Sequence, residues 1–359
     1  MSGEAAASDR EPSPAEIRGI VADLFGHRAF IYWLDMLASA LLGWAGLAAA
    51  VLWRGDIVPA LFLTLVSAFA FMRALLFIHE ISHFRRGVLP GFTAVWNLLV
   101  GVPMLVPSFM YQGTHTDHHK RHLFGTIGDP EYLPLVPMGR RSVVLFLAEM
   151  LVVPALLVLR FGLLTPLSWA IPPLRRLVVE KMSALVINKD YRRRPPEGAF
   201  RVQWLVLELL GLVWVLGILG LAVSGHLPWA ALGLWYAVAA LVALVNQYRT
   251  LSAHEFANPG DEMSTTEQLL DSINVVGGPA ITELLSPVGL RYHALHHLIA
   301  DLPYHALPEA HRRLMRDLPE GAAYRRSNRS TIAGAVAQLW RRAASGEGVP
   351  RSWKKRASE

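Results

Sequence analysis

Four stretches of this chain, 30–53, 57–78, 205–223 and 229–245, are built almost wholly of apolar residues and are each close to the length needed to cross a bilayer. A spanning helix needs ~20 such residues, because lipid offers no partner to an exposed backbone amide and a helix satisfies its amides internally. The four form two pairs, each joined by a short polar break: Arg54-Gly55-Asp56 in the first and the residues around Gly225-His226 in the second. Two transmembrane hairpins are therefore expected. Composition agrees. Of 359 residues, 53% are hydrophobic and 17% charged, against ~25% charged in an ordinary globular chain.

Two further apolar stretches are interrupted: 92–110 by Pro103 and Pro107, and 142–171 by Pro154, Arg160 and Pro166. Such breaks suit re-entrant or interfacial segments as well as kinked spans. Of the 34 Lys and Arg residues, all but Arg54, Arg73 and Arg160 lie outside the apolar stretches and away from the hairpin tips. The positive-inside rule then places both termini and both long connections in the cytoplasm, provided neither ambiguous stretch crosses alone. The expected fold is an all-α integral membrane protein: four transmembrane helices in two hairpins, interfacial or re-entrant helices, and a cytoplasmic histidine-rich cap. Residues 1–28 lack a basic start followed by an apolar run, so they read as a flexible tail rather than a signal peptide. Residues 29–326 read as a single membrane domain and 327–359 as a basic tail. The net charge of +6 sits beside apolar segments, where it meets anionic headgroups. No stacking or base-reading pattern points to nucleic acid. High Ala, Arg and Leu usage suggests a bacterial inner membrane.

The chain has no cysteine, which excludes disulfides, thiolate-ligated zinc, iron–sulfur clusters and a cysteine nucleophile. It has 14 histidines, and most are patterned. His79 and His83 flank Glu80-Ile81-Ser82; His115, His118 and His119 form one cluster, His293, His296 and His297 another, and His254 follows the fourth span. Spacings of i, i+3 and i+4 gather side chains on one face of a helix. So many neighbouring imidazoles are unfavourable if charged and unsatisfied if neutral, whereas neutral imidazole is a good metal ligand. Nine ligands exceed one four-coordinate zinc and suit two metal ions with positions left open. His27, His122, His226, His305 and His311 read as ordinary interfacial or surface residues. Glu80, Asp117 and Asp301 lie beside the clusters and are candidates to hold the outer imidazole nitrogens. Asp35 and Glu208 fall inside apolar runs and receive no role. Arg73, about 9 Å deeper than His79 at the helical rise, is expected to snorkel.

With these boxes, and with Tyr292 to His297 continuing into Asp301-Leu302-Pro303-Tyr304-His305, the chain resembles the membrane fatty acid desaturase and hydroxylase family from about residue 30 to 320. The resemblance implies two iron ions on the cytoplasmic face of a four-span bundle. By it, His79 and His83 are the first box, His115, His118 and His119 the second, and His293, His296 and His297 the third. His254 matches an additional ligand. Thr250 stands where some members place an Asn that holds a metal-bound water. There is no haem-binding His-Pro-Gly-Gly stretch, so the electrons are expected from a separate ferredoxin or cytochrome b5-type donor. The leading expectation is an oxygen-dependent di-iron desaturase of acyl chains, with O2 as co-substrate. The alternative is a hydroxylase or ketolase acting on a fatty acid, carotenoid or other lipid. An intramembrane zinc protease built on His79, Glu80 and His83 leaves two boxes unexplained, and a non-catalytic metal-handling or haem protein is a further reading.

Overall fold

A computed structural model describes residues 11–346, 348–350 and 353; the first ten residues of the expected N-terminal tail and most of the end of the basic tail lie outside them. The chain is predominantly helical and divides into two compact units. A spanning unit comprises Ala29–His118 and Val144–Gln247, and a polar unit the described parts of Met1–Arg28, His119–Val143 and Tyr248–Glu359.

Among the described residues five helices are long and apolar enough to cross a membrane: Ala29–Leu52, Ile57–His83, Val153–Ala170, Gly198–Val223 and Trp229–Thr250. Four match the expected stretches, three of them extended at one end and the first shifted by one residue. In the first hairpin the two helices approach closely at Gly46, where a Cβ would sit 3.1 Å from the Ser67 nitrogen and 3.2 Å from the Leu63 carbonyl oxygen. Small residues at such contacts let backbones pack without a hydrophobic driving force. Ser67 Oγ donates to the Gly43 carbonyl at 2.8 Å. Leu41, Leu42, Leu61, Phe62, Val213 and Leu216 are exposed, as side chains facing lipid tails should be.

The fifth helix falls in the stretch left open by the sequence. It has α-helical ends and a π-helical turn at Arg160–Leu164. Its charge is neutralised inside the unit. Arg160, 2% exposed, donates to Glu208 Oε1 at 2.5 Å, to Ser183 Oγ at 2.8 Å and to Thr165 Oγ1 at 2.5 Å. Arg175 adds bonds to both oxygens of Glu208 at 3.0 and 2.7 Å. Gly211 makes room for this packing, since a Cβ there would lie 2.5 Å from the Phe161 ring. The stretch 92–110 instead yields the shorter apolar helix Phe92–Gly101, after which Pro103 and Pro107 interrupt the ladder. Arg73 does not extend toward water as expected. It forms a two-pronged pair with Asp35, both bonds 2.6 Å, because the neighbouring helix offers a carboxylate at that depth.

In the polar unit, short helices surround a backbone spine at residues 271–276. Asn274–Val275 pairs in parallel with Asn328–Arg329. The spine also bonds to the 253–255 segment, through Ile273 N–H to the Ala253 carbonyl (2.8 Å) and Glu255 N–H to the Asp271 carbonyl (2.7 Å). Val275 N–H reaches the Arg291 carbonyl at 2.7 Å. Within the stretch expected as tail lie the helix Pro14–Ile20 and the single turn Ala22–Leu24. The helix Pro14–Ile20 starts with a capping box between Ser13 and Glu16. Its Ile17, with Val21, enters a core with Ala294, Leu295, Leu314 and Tyr324. Past Ser327 the expected tail likewise contains a helix, Ile332–Arg342, which buries Ile332, Ala335 and Leu339.

Replacing Glu208 with Ala strands two cations against the spans. Removing one partner of a buried pair costs roughly 3–5 kcal/mol, so E208A should unfold at a markedly lower temperature in detergent, whereas D56A at the hairpin tip should not. Equal melting of E208A and wild type would contradict the assignment of the cluster as a structural tie.

Candidate metal centre

Each unit gathers its own set of imidazoles. In the spanning unit, the helix Ile57–His83 ends with His79 and His83 one turn apart, their ring centroids 5.1 Å from each other. His115, on the short helix Thr114–His118, brings its ring to 4.5 Å from His79 and 4.8 Å from His83. One nitrogen from each of these three lies within 4.8 Å of the others. Tyr111 stacks on His115 at 4.7 Å and its hydroxyl meets His115 Nδ1 at 2.9 Å, fixing the ring plane. His118 follows on the same helix, 5.8 Å from the His115 ring.

In the polar unit, His254 is held by the spine, and His293, His296 and His297 lie on the helix His293–Leu298. Here His293 Nε2 is 2.9 Å from His254 Nε2 and 3.1 Å from His297 Nε2. His119 Nε2 is 3.0 Å from His296 Nε2, and its ring stacks on His297. Phe124, Phe256 and Tyr132 pack around the His254 ring at 5.3, 5.4 and 5.9 Å and keep water from it.

The donor set fits a metal. A neutral imidazole carries one proton on two nitrogens. His254 Nδ1 lies 3.1 Å from Asp271 Oδ2, which draws the proton to that nitrogen and leaves the Nε2 lone pair directed at the other two rings. Lone pairs so close to one another favour a shared cation. Metal–imidazole bonds of ~2.1 Å at a right angle would place neighbouring nitrogens ~3 Å apart, as the 2.9 and 3.1 Å separations do. Asp271 is held in turn by the Tyr132 hydroxyl, which donates to its Oδ1 at 2.9 Å. Burial, reinforced by the Asp271 charge, raises the Tyr132 pKa well above the usual tyrosine range, so the phenol keeps its proton. Carboxylate, spine and imidazole form one assembly.

Asp271 was not among the acids expected from the sequence. It is 17 residues from His254, and the backbone pairing that faces the two has no local signature. The three acids chosen for adjacency each engage a tyrosine or an arginine. Successive helical residues point about 100° apart, so Glu80 turns to the neighbouring helix and accepts a short hydrogen bond from the Tyr32 hydroxyl. Its other oxygen is 3.8 Å from His79 Nδ1, beyond hydrogen-bond reach. Asp117 accepts from the Tyr191 hydroxyl at 2.7 Å, and Asp301 takes a two-pronged pair from Arg18 at 2.9 and 2.6 Å. Three of the remaining histidines have ordinary partners. His305 accepts from the Arg28 backbone, His226 meets Ser224, and His311 meets the Tyr324 hydroxyl at 2.7 Å. Burial lowers the His311 pKa to about 4.

The chain matches the fatty acid desaturase family model over residues 56–328. It is 40% identical over 323 residues to a ceramide hydroxylase of Caulobacter vibrioides, a match covering 90% of this chain and 92% of that one. No solved structure matches.

Losing an outer partner of a metal-binding histidine costs ~10–100-fold in affinity. D271A should therefore bind Co(II), read by its visible absorption, more weakly by that factor, while H226A at a hairpin tip binds as wild type. Unchanged affinity in D271A would remove Asp271 from the centre.

Proposed function

The chain belongs to the fatty acid desaturase family, and on that premise we propose that it is an oxygen-dependent lipid hydroxylase whose substrate is ceramide or a similar amide-linked long-chain lipid. The observation that carries this reading is the near full-length likeness to a protein named for ceramide hydroxylation, which favours the hydroxylase over the desaturase alternative. His79, His83, His115, His118, His119, His254, His293, His296 and His297 are the proposed ligands of two iron ions.

The iron pair, when bound, supplies the activation of dioxygen and an oxidising strength that no side chain has. The reaction balances as C–H plus O2, two electrons and two protons giving C–OH and water. The chain's own residues contribute placement. Asp271 and Tyr132 hold the His254 ring, and Tyr111 holds His115. The phenyl rings of Phe124 and Phe256 shield the polar-unit imidazoles. The spans let an apolar chain enter from the lipid without passing through water. Desaturation and hydroxylation both begin by removing a hydrogen, and they diverge in whether oxygen returns to the carbon or a neighbouring hydrogen is also lost. In this reading the protein resides in a bacterial inner membrane with both termini cytoplasmic, and a separate protein delivers the electrons.

Expression in a bacterial host supplied with ceramide tests the reading by lipid mass spectrometry. The expected product has gained one oxygen atom, and it disappears in H118A. A product that has lost two hydrogens would restore the desaturase reading, and an oxygenated product that persists in H118A would remove the histidines from the reaction.

A further inference from the structure

Between the helix Pro172–Lys181 and the span Gly198–Val223 the spanning unit buries a cation without a counter-ion. Arg193 is 5% exposed. It donates to the Ser183 and Gln112 carbonyls, both at 2.6 Å, and its guanidinium lies 4.4 Å over the Trp204 ring. Among the described residues no carboxylate pairs with it: Glu180 is engaged by Arg176 and Arg192, and Asp117 accepts from the Tyr191 hydroxyl. Burial lowers its pKa to about 10, which leaves it cationic at neutral pH. A guanidinium carries five N–H groups, so Arg193 keeps donors beyond those it gives to the two carbonyls.

Polar atoms around it are unmatched as well. Trp204 is fully buried and stacks on Phe109 at 4.5 Å, yet its indole N–H has no acceptor among the described residues. Gln112, whose backbone carbonyl Arg193 holds, buries its side-chain Oε1 without a donor. Thr114, two residues on and fully buried, has a hydroxyl without a partner. A buried polar atom left unmatched is costly, and native structures keep few of them without a use. Gln112 and Thr114 stand three residues and one residue before His115, at the entry to the second histidine box.

The sense of each hydrogen bond narrows what could meet these groups. Arg193 and the Trp204 indole only donate, whereas Gln112 Oε1 only accepts. A phosphate or carboxylate would satisfy the donors but set its negative charge against the Gln112 oxygen. A hydrocarbon chain would leave every group unmatched. A secondary amide carries one acceptor and one donor and no charge. Resting on the hydroxylase reading with an amide-linked lipid, we propose that Arg193, Trp204 and Gln112 form the subsite that recognises the amide of that lipid. Arg193 and Trp204 donate to its carbonyl oxygen, and Gln112 Oε1 accepts from its N–H. The Thr114 hydroxyl, able to donate or accept, suits the hydroxyl that neighbours the amide in a ceramide. An ester has the carbonyl but no N–H, so it would leave Gln112 unmatched, and a site built to bond a group discriminates against the analogue that lacks it.

The test measures equilibrium binding to the full iron-loaded chain in nanodiscs of zwitterionic lipid. The probes are a ceramide and its ester counterpart, of equal chain lengths, with oxygen in place of the amide N–H. Wild type should prefer the amide by roughly 10-fold, as expected when a buried acceptor loses its donor. Q112L should reduce that ratio to about one. W204F keeps the aromatic ring and removes only the N–H, so it should weaken both probes by about 5–10-fold while the ratio stays as in wild type. Iron content and melting temperature of both variants should match wild type. A Q112L ratio equal to that of wild type, or a W204F variant that binds both probes as wild type does, would overturn the assignment. Displacement of ceramide by inorganic phosphate in wild type but not in W204F would overturn it too, since the site would then be one for anions. Oxygenation of ceramide is followed separately in the same samples. The expected ratios without any oxygenated product would uphold the subsite and count against the hydroxylase reading, and oxygenation with no amide preference would do the reverse.

Discussion

Imidazole nitrogens held about 3 Å apart are the constraint around which the polar unit is organised. Neutral rings at that separation hold too few protons to bridge every contact, and charged rings would repel in a shielded setting. The spine at 271–276 makes the arrangement possible by bonding to the segment carrying His254 and to the residues just before His293. The same backbone pairing presents the Asp271 carboxylate to His254. Holding the rings and choosing their protonation are thus one structural act, and a metal is the partner that such a donor set suits.

The spanning unit solves a different electrostatic problem. Charges within apolar helices are costly alone, and here they are paired: Arg73 with Asp35, and Arg160 and Arg175 with Glu208. Arg160 also satisfies Thr165 and Ser183 around the π-helical turn. A helix interrupted by two prolines and an arginine can therefore still be long and apolar enough to span, because its charge is met by a carboxylate on another helix. Such a pair also specifies which helices must lie together, since separating them would leave a bare ion in lipid.

How far the sequence could be read follows from where each signal resides. Four of the five long apolar helices were legible because an apolar run of that length has few other uses. The boxes were legible because helical spacing alone puts their imidazoles on one face. Val153–Ala170 was ambiguous because Arg160's partner, Glu208, is 48 residues away. Glu80, Asp117 and Asp301 were chosen by adjacency in the chain, and the partners that each engages, Tyr32, Tyr191 and Arg18, lie far away in sequence, where adjacency gives no sign of them. Asp271 escaped notice because strands of two residues leave no periodicity to detect. Residues 13–25 read as tail since a helix of seven residues is stable only against a partner, here the core that includes Leu295 and Leu314.

Mössbauer spectroscopy of the purified protein grown on 57Fe, with metal analysis of the same sample, tests the central claim most directly. The account predicts two irons per chain, magnetically coupled, with the coupled signal lost in H118A. A single uncoupled iron, or zinc in place of iron in an active preparation, would contradict it.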